Sequence, residues 1–178
     1  FASASGTLAA PQGGQVVHGS ADVSQQGAST IIDQHSNRAI LEFDSFNVAA
    51  DEMVRFNQPS ASARILNRVT SGDPTAIHGQ ISANGQVFLV NPAGVYFGPD
   101  SIINVGRLYA AGANLSNENF LAGMHHFTNV TGAVTNHGTI DAGAAYLIGR
   151  HVANFGTIRV DDGQIGLISG DDVYLMEE

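Results

Sequence analysis

The sequence predicts an all-β chain wound as a parallel β-helix, and three observations carry that expectation. Asn136-His137-Gly138-Thr139-Ile140 returns eighteen positions later as Asn154-Phe155-Gly156-Thr157-Ile158, and Ala145-Tyr146-Leu147-Ile148 is echoed by Ile165-Gly166-Leu167-Ile168. Val87-Phe88-Leu89-Val90 is apolar at every position, so neither alternating face of that strand should meet water. Twenty-one glycines, with a recurring Asn-Gly or Asn-x-Gly rhythm, mark frequent turns. Units of about 20 residues made of strands and turns, with no helix between them, bury an interior only by stacking on their neighbours. An antiparallel sandwich also has short strands, but it has no need of a repeated Asn-x-Gly-Thr-Ile at fixed spacing.

Taken in order, residues 1–14 are small and glycine-rich up to Pro11-Gln12-Gly13-Gly14, and are expected to form a flexible lead-in. Strand signals follow at Gln15 to Gly19, Ala21 to Val23, Thr30 to Asp33, Ala39 to Phe43, Phe46 to Val48 and Met53 to Phe56. In the fourth, Ala39, Leu41 and Phe43 alternate with Ile40, Glu42 and Asp44, the pattern of a half-buried strand. Asn57-Gln58-Pro59-Ser60 reads as a turn, and Ser62 to Thr70 as a strand or a short helical turn, with strand preferred. Residues 15–60, whose short strands do not repeat, are expected to cap the coil, and residues 61–178 to form its turns.

Asn84-Gly85 then opens the central strand, Asn91-Pro92-Ala93-Gly94 has turn chemistry, and Val95-Tyr96-Phe97 resumes the strand until Gly98-Pro99. A coil whose interior takes one face of Val87 to Val90 needs an extra element over the other. The asparagines before glycine suit corners, either by adopting a left-handed backbone or by hydrogen-bonding to backbone or to an Asn one coil away. Asp172-Val173-Tyr174-Leu175-Met176 still reads as strand, without a cap, so the chain is expected to be the N-terminal piece of a longer repetitive protein. An open coil end of that kind is also a surface for self-association.

The formal charge of −9 argues against a nucleic-acid binder, which wants a basic stripe. All seven basic residues are arginine. No apolar run approaches the roughly 20 residues of a membrane-spanning helix. The absence of cysteine excludes a disulfide framework and a thiolate metal site. It suits a reducing compartment, or a secreted chain that must cross a pore unfolded.

Val87 to Val95, preceded by Phe56-Asn57-Gln58-Pro59 and Leu66-Asn67-Arg68-Val69-Thr70, resembles the N-terminal secretion domain of two-partner secretion exoproteins. This is the haemagglutination-activity domain of filamentous haemagglutinin-like and high-molecular-weight adhesin-like proteins. The ordered likeness runs from Gly14-Gln15-Val16-Val17 through Arg38 to Leu41 and Phe46 to Val48 into the terminal repeats. At the central turn the family pattern is Asn-Pro-Asn-Gly, where this chain has Ala93 in place of the second Asn. Asn57-Gln58-Pro59 stands in place of an intact first Asn-Pro motif.

The resemblance implies a right-handed β-helix with an N-terminal cap and extra-helical strands. It also implies export through the periplasm, recognition by the periplasmic domains of a dedicated outer-membrane transporter, and folding outside the cell coil upon coil. The implied function is a secretion-directing, non-enzymatic domain at the head of a secreted or cell-surface adhesin. Host or neighbouring-cell surfaces would be met only by downstream regions. The recognition residues carried by the two motifs are Asn57, Gln58 and Pro59, and Asn91, Pro92 and Gly94.

Other chemistry has weaker support. His125-His126 in a strand point to opposite faces and cannot readily share one metal ion, so no metal or cofactor site is assigned. Asp161-Asp162 and Asp171-Asp172 read as solvated acidic corners unless adjacent coils bring them together over calcium. Polysaccharide lyases and hydrolases also use β-helices, but Asp33, Asp44, Asp51, Asp100 and Asp141 sit singly at turns, and Arg150 and Arg159 are expected to pair with local acids. No catalytic residue is assigned. A structural module of an extracellular fibre is the competing non-enzymatic reading.

Overall fold

The computed structural model describes residues 9–176, so most of the expected lead-in, residues 1–8, lies outside the described residues. The elements run β1 (Gln15–His18), β2 (Ala21–Gln26), β3 (Ser29–Gln34), β4 (Arg38–Phe43), β5 (Met53–Asn57), β6 (Arg64–Val69) and β7 (Thr75–Ile77). Next come β8 (Gln80–Ala83), β9 (Gln86–Val90), β10 (Val95–Phe97), β11 (Ile102–Ala111), β12 (Asn114–Leu115), α1 (Asn117–Ala122) and β13 (His125–Thr128). The last are β14 (Val134–Asn136), β15 (Thr139–Gly149), β16 (Val152–Asn154), β17 (Thr157–Val160), β18 (Ile165–Ser169) and β19 (Val173–Leu175).

These strands wind as a right-handed parallel β-helix of about six turns. Three parallel columns form its sides. The first stacks β3, β5, β8, the start of β11, the start of β15, and β17. The second stacks β4, β6, β9, the end of β11, the end of β15, and β18. The third stacks β7, β10, β14 and β16, and Val48 extends it downward by a single bridge to Ile77 in place of the expected strand Phe46 to Val48. The repeats seen in the sequence are in register: Asn136 faces Asn154, Ile140 faces Ile158 and Leu147 faces Leu167.

Alternation sorts the side chains as the pleat requires. Val87 and Leu89 point into the lumen with Leu41, Ile65, Val95, Leu108 and Leu147, whereas Phe88 and Val90 point out. The expected cover over that outer face is present. An antiparallel sheet of β12, β13 and β19, with α1 beside it, lays Leu115, Phe120, Phe127, Val130 and Val173 over Phe88, Val90 and Tyr109. The helix was not anticipated. Its signals are local: the Ser116 side chain accepts from the Asn119 N–H, and Gly123 ends it at φ 75°.

Where β11 and β15 bend from the first column into the second, the corner is a pile of glycines. A Cβ on Gly106 would lie 2.6 Å from the Gly85 carbonyl oxygen, and one on Gly143 2.7 Å from that of Gly106. Backbone packs on backbone there, which explains much of the glycine content.

Four expectations change. Antiparallel pairing at the N-terminal end is made by β1, β2 and a bridge from Gln12 to Ser45, and the parallel stack already begins at Ser29, well inside the segment 15–60 assigned to the cap. Residues 9–14 are held rather than loose: Ala10 is buried and the Gln12 main chain bonds to Ser45 and Asp44. Asp172 to Met176 does not prolong the coil, because Val173–Leu175 turns aside to pair with β13. Among the described non-glycine residues only Asn129 and Asp162 have positive φ, so Asn84, Asn136 and Asn154 serve the corners through hydrogen bonds and not through a left-handed backbone.

Candidate functional site

The two motifs lie on different corners of the coil. Asn57 to Ser60 joins β5 to β6, between the first and second columns, and Asn91 to Gly94 joins β9 to β10, between the second and third. The fold therefore does not gather the six candidate residues into one patch.

At the first corner Asn57 and Pro59 are exposed and Gln58 is buried. The Asn57 amide donates to Asp33 Oδ1 at 2.7 Å. Gln58 is the centre of a network spanning three coils. Its Nε2 donates to Gln34 Oε1 at 2.9 Å and to the Ala63 carbonyl at 3.2 Å, and its Oε1 accepts from the Gly85 N–H at 3.0 Å. Asn84 closes the same turn from above, accepting from the Gln58 N–H and donating to the Gln58 carbonyl, each at 2.8 Å. Burying an amide is costly unless it is hydrogen-bonded, and this one is.

At the second corner Asn91 has no exposed surface. Its Nδ2 donates to the Asp73 carbonyl at 2.9 Å and to Thr75 Oγ1 at 3.0 Å, while its Oδ1 accepts from the Ala93 N–H at 2.9 Å. The Gly94 N–H closes the turn on the Asn91 carbonyl. Gly94 has φ 119°, and a Cβ there would lie 2.8 Å from the Ala133 carbonyl oxygen. Glycine is thus required by backbone and by space. Pro92, half-buried, accepts through its carbonyl from the Thr131 hydroxyl at 2.9 Å. Ala93 contributes its main chain to these bonds, which is why alanine serves where the family pattern has asparagine.

Sequence reasoning missed Gln34, Asn84, Thr75 and Thr131 as partners of these turns. Asn84-Gly85 is visible as a turn signal, but its pairing with Gln58 across 26 residues is set by stacking and leaves no local trace.

The other candidates separate. His125 is buried beside the stacked rings of Phe88 and Tyr109, at centroid distances of 5.3 and 5.0 Å, with Arg64 Nη1 3.3 Å from its Nε2. His126 faces the opposite way and meets Asp172 at 2.7 Å. Asp171 pairs with Arg150, and Arg159 with Asp141 at 3.4 Å, as expected of local partners. The Asn136 amide donates to Asn154 Oδ1 at 2.8 Å, the asparagine-to-asparagine rung expected one coil away. Among the described residues no group of three or more His, Asp or Glu is placed to hold a metal ion.

Residues 8–176 match the family model of the TPS secretion domain. A heme/hemopexin-binding protein of Haemophilus influenzae is 36% identical over 169 residues, 93% of this chain and 19% of that protein. A second heme/hemopexin-binding protein of Haemophilus influenzae is 33% identical over 122 residues, 68% of this chain and 13% of that protein. The crystal structure of the HMW1 secretion domain from Haemophilus influenzae matches with a TM-score of 0.89 at 37% identity, over 92% of this chain and 46% of that one. The chain thus spans about a fifth of the length of the first relative and under half of the solved structure. With the family model covering residues 8–176, and with the same coil, the chain belongs to the TPS secretion domain family.

Proposed function

We propose that this domain directs secretion of a large exoprotein by presenting its two turn motifs to the periplasmic domains of a partner outer-membrane transporter before they fold. The observation that supports this order of events is the state of Asn91, which is fully buried with both amide atoms engaged inside the chain. Gln58 and Gly94 are buried as well. A partner can read these residues only in an extended chain, where backbone donors and acceptors are also free for strand addition. Past the pore, the coils stack on the β1 and β2 end, and the column carries the parent protein outward to the cell surface. The domain is a binding and folding module, not an enzyme. The parent is an adhesin in this reading. The relatives named for heme and hemopexin binding make heme capture the competing cargo, and the downstream sequence decides between them.

The test is binding of the transporter's periplasmic domains to this chain freshly diluted from denaturant and to the same chain after refolding. Capture of the unfolded chain alone is expected. Equal binding of the refolded domain overturns the reading.

A second reading, a structural module whose last described coil stacks on more repeats or on another copy, is favoured by one observation. Phe155, Ile165 and Leu167 are exposed on the last coil, where β17 and β18 each have one edge unpaired among the described strands. Sedimentation of the isolated chain tests it, and a monomer at every concentration removes it.

A further inference from the structure

The outward face of the first column carries a polar row beside the first turn motif. Register sets Arg55, Ser82, Asn104, Asp141 and Arg159 opposite one another on successive coils, at the strand spacing of about 4.8 Å. Over the second to fourth coils the row opens into a shallow groove of about 480 Å³, lined by Arg55, Asn57, Gln58, Ser82, Asn84 and Asn104.

Arg55 is exposed, and its side chain makes no hydrogen bond or ion pair among the described residues. Of the acids on the same face, Asp33 accepts from the Asn57 amide and Asp141 pairs with Arg159. A chain of net charge −9 that leaves a guanidinium uncommitted in a groove offers a planar fork of donors to an external carboxylate. Beside it the Ser82 hydroxyl and the Asn104 amide both donate and accept, which is what sugar hydroxyls require. A ligand with closely packed negative charge would be repelled by the rest of the domain, so the carboxylate should come spaced by neutral hydroxyls.

We propose that this groove binds an acidic saccharide, its carboxylate held by Arg55 and its hydroxyls by Ser82 and Asn104. The site is on the folded domain and goes beyond the reading of the secretion motifs.

The test is titration of the whole, nitrogen-labelled chain with trigalacturonate, followed by amide shifts, with galactotriose and a glutamate peptide as comparisons. Saturable shifts at Arg55, Ser82 and Asn104 are expected with trigalacturonate, weakening as salt is raised. Arg55→Ala should weaken binding about tenfold or more, and Arg55→Lys by less. Both substitutions are at an exposed position, so an unchanged melting curve confirms folding, and unchanged export separates this site from transporter recognition. The proposal is overturned by no saturable shift at millimolar sugar, by galactotriose binding equally well, or by Arg55→Ala binding as well as the parent chain. Stronger binding of the glutamate peptide also overturns it, making the groove a peptide site.

Discussion

Phe88 and Tyr109 lie one above the other on adjacent coils, ring planes 7° apart and centroids 4.1 Å apart. Tyr146 continues the pile at 5.0 Å from Tyr109, and Phe120 of α1 meets Phe88 edge-on at 5.2 Å. This column joins the coil to its outer cover. Phe88→Ala should therefore cost about 3–5 kcal/mol, the usual result of emptying a fully buried aromatic site. Urea denaturation measures it, and a loss below about 1 kcal/mol would mean that the cover packs elsewhere.

Asn91→Ala removes three internal hydrogen bonds and leaves the Asp73 carbonyl, the Thr75 hydroxyl and the Ala93 N–H without that partner. A destabilisation of about 2–3 kcal/mol is expected by thermal or urea unfolding. Asn57→Ala, at an exposed position with one bond to Asp33, should stay within about 0.5 kcal/mol of the parent. Measuring export of the two variants alongside stability separates a motif that is read from one that only shapes its corner.

Gly106→Ala places a methyl group 2.6 Å from the Gly85 carbonyl oxygen in a pile where the layers are backbone. Spreading two coils locally is expected to cost about 1–3 kcal/mol. Gly27→Ala makes a useful comparison, because no atom lies within 4 Å of its Cβ position, although its φ of 60° adds a cost of its own.

Asn67 stands in the lumen between Leu41 and Leu89, fully buried, with Oδ1 lacking a hydrogen-bond partner among the described residues. Its side-chain bond, 3.2 Å from Nδ2 to the Phe88 carbonyl, does not offset that orphan oxygen. Asn67→Leu should raise stability by about 1 kcal/mol, read as a higher melting temperature. A lower melting temperature would show that the leucine overpacks the lumen.

The coil was legible because its repeats are chemical as well as spatial. Asn136 and Asn154 occupy one rung, and Ala145 and Ile165 another, so the offsets in the sequence are the register in the stack. Val87 to Val90 also announced its two buried faces, since no residue there tolerates water. What the sequence concealed was where the regular stack starts and where the chain leaves it. Ser29 to Asn57 pairs in parallel like the later coils yet shares no motif with them, because each early rung is filled by different side chains of similar bulk. Val173 reads like any strand residue, yet it leaves the column to pair with β13 and join the apolar cluster over β9 and β11. The two motifs were visible as turns, but the burial of Gln58 and Asn91 depends on residues contributed by other coils.

The strand Val173–Leu175 closes a sheet whose other members, Asn114–Leu115 and His125–Thr128, precede the last two coils. A chain delivered from its N-terminus can raise the column while Phe127 still lacks its final neighbour, so the lateral layer acts as a latch that only late-arriving polypeptide can shut.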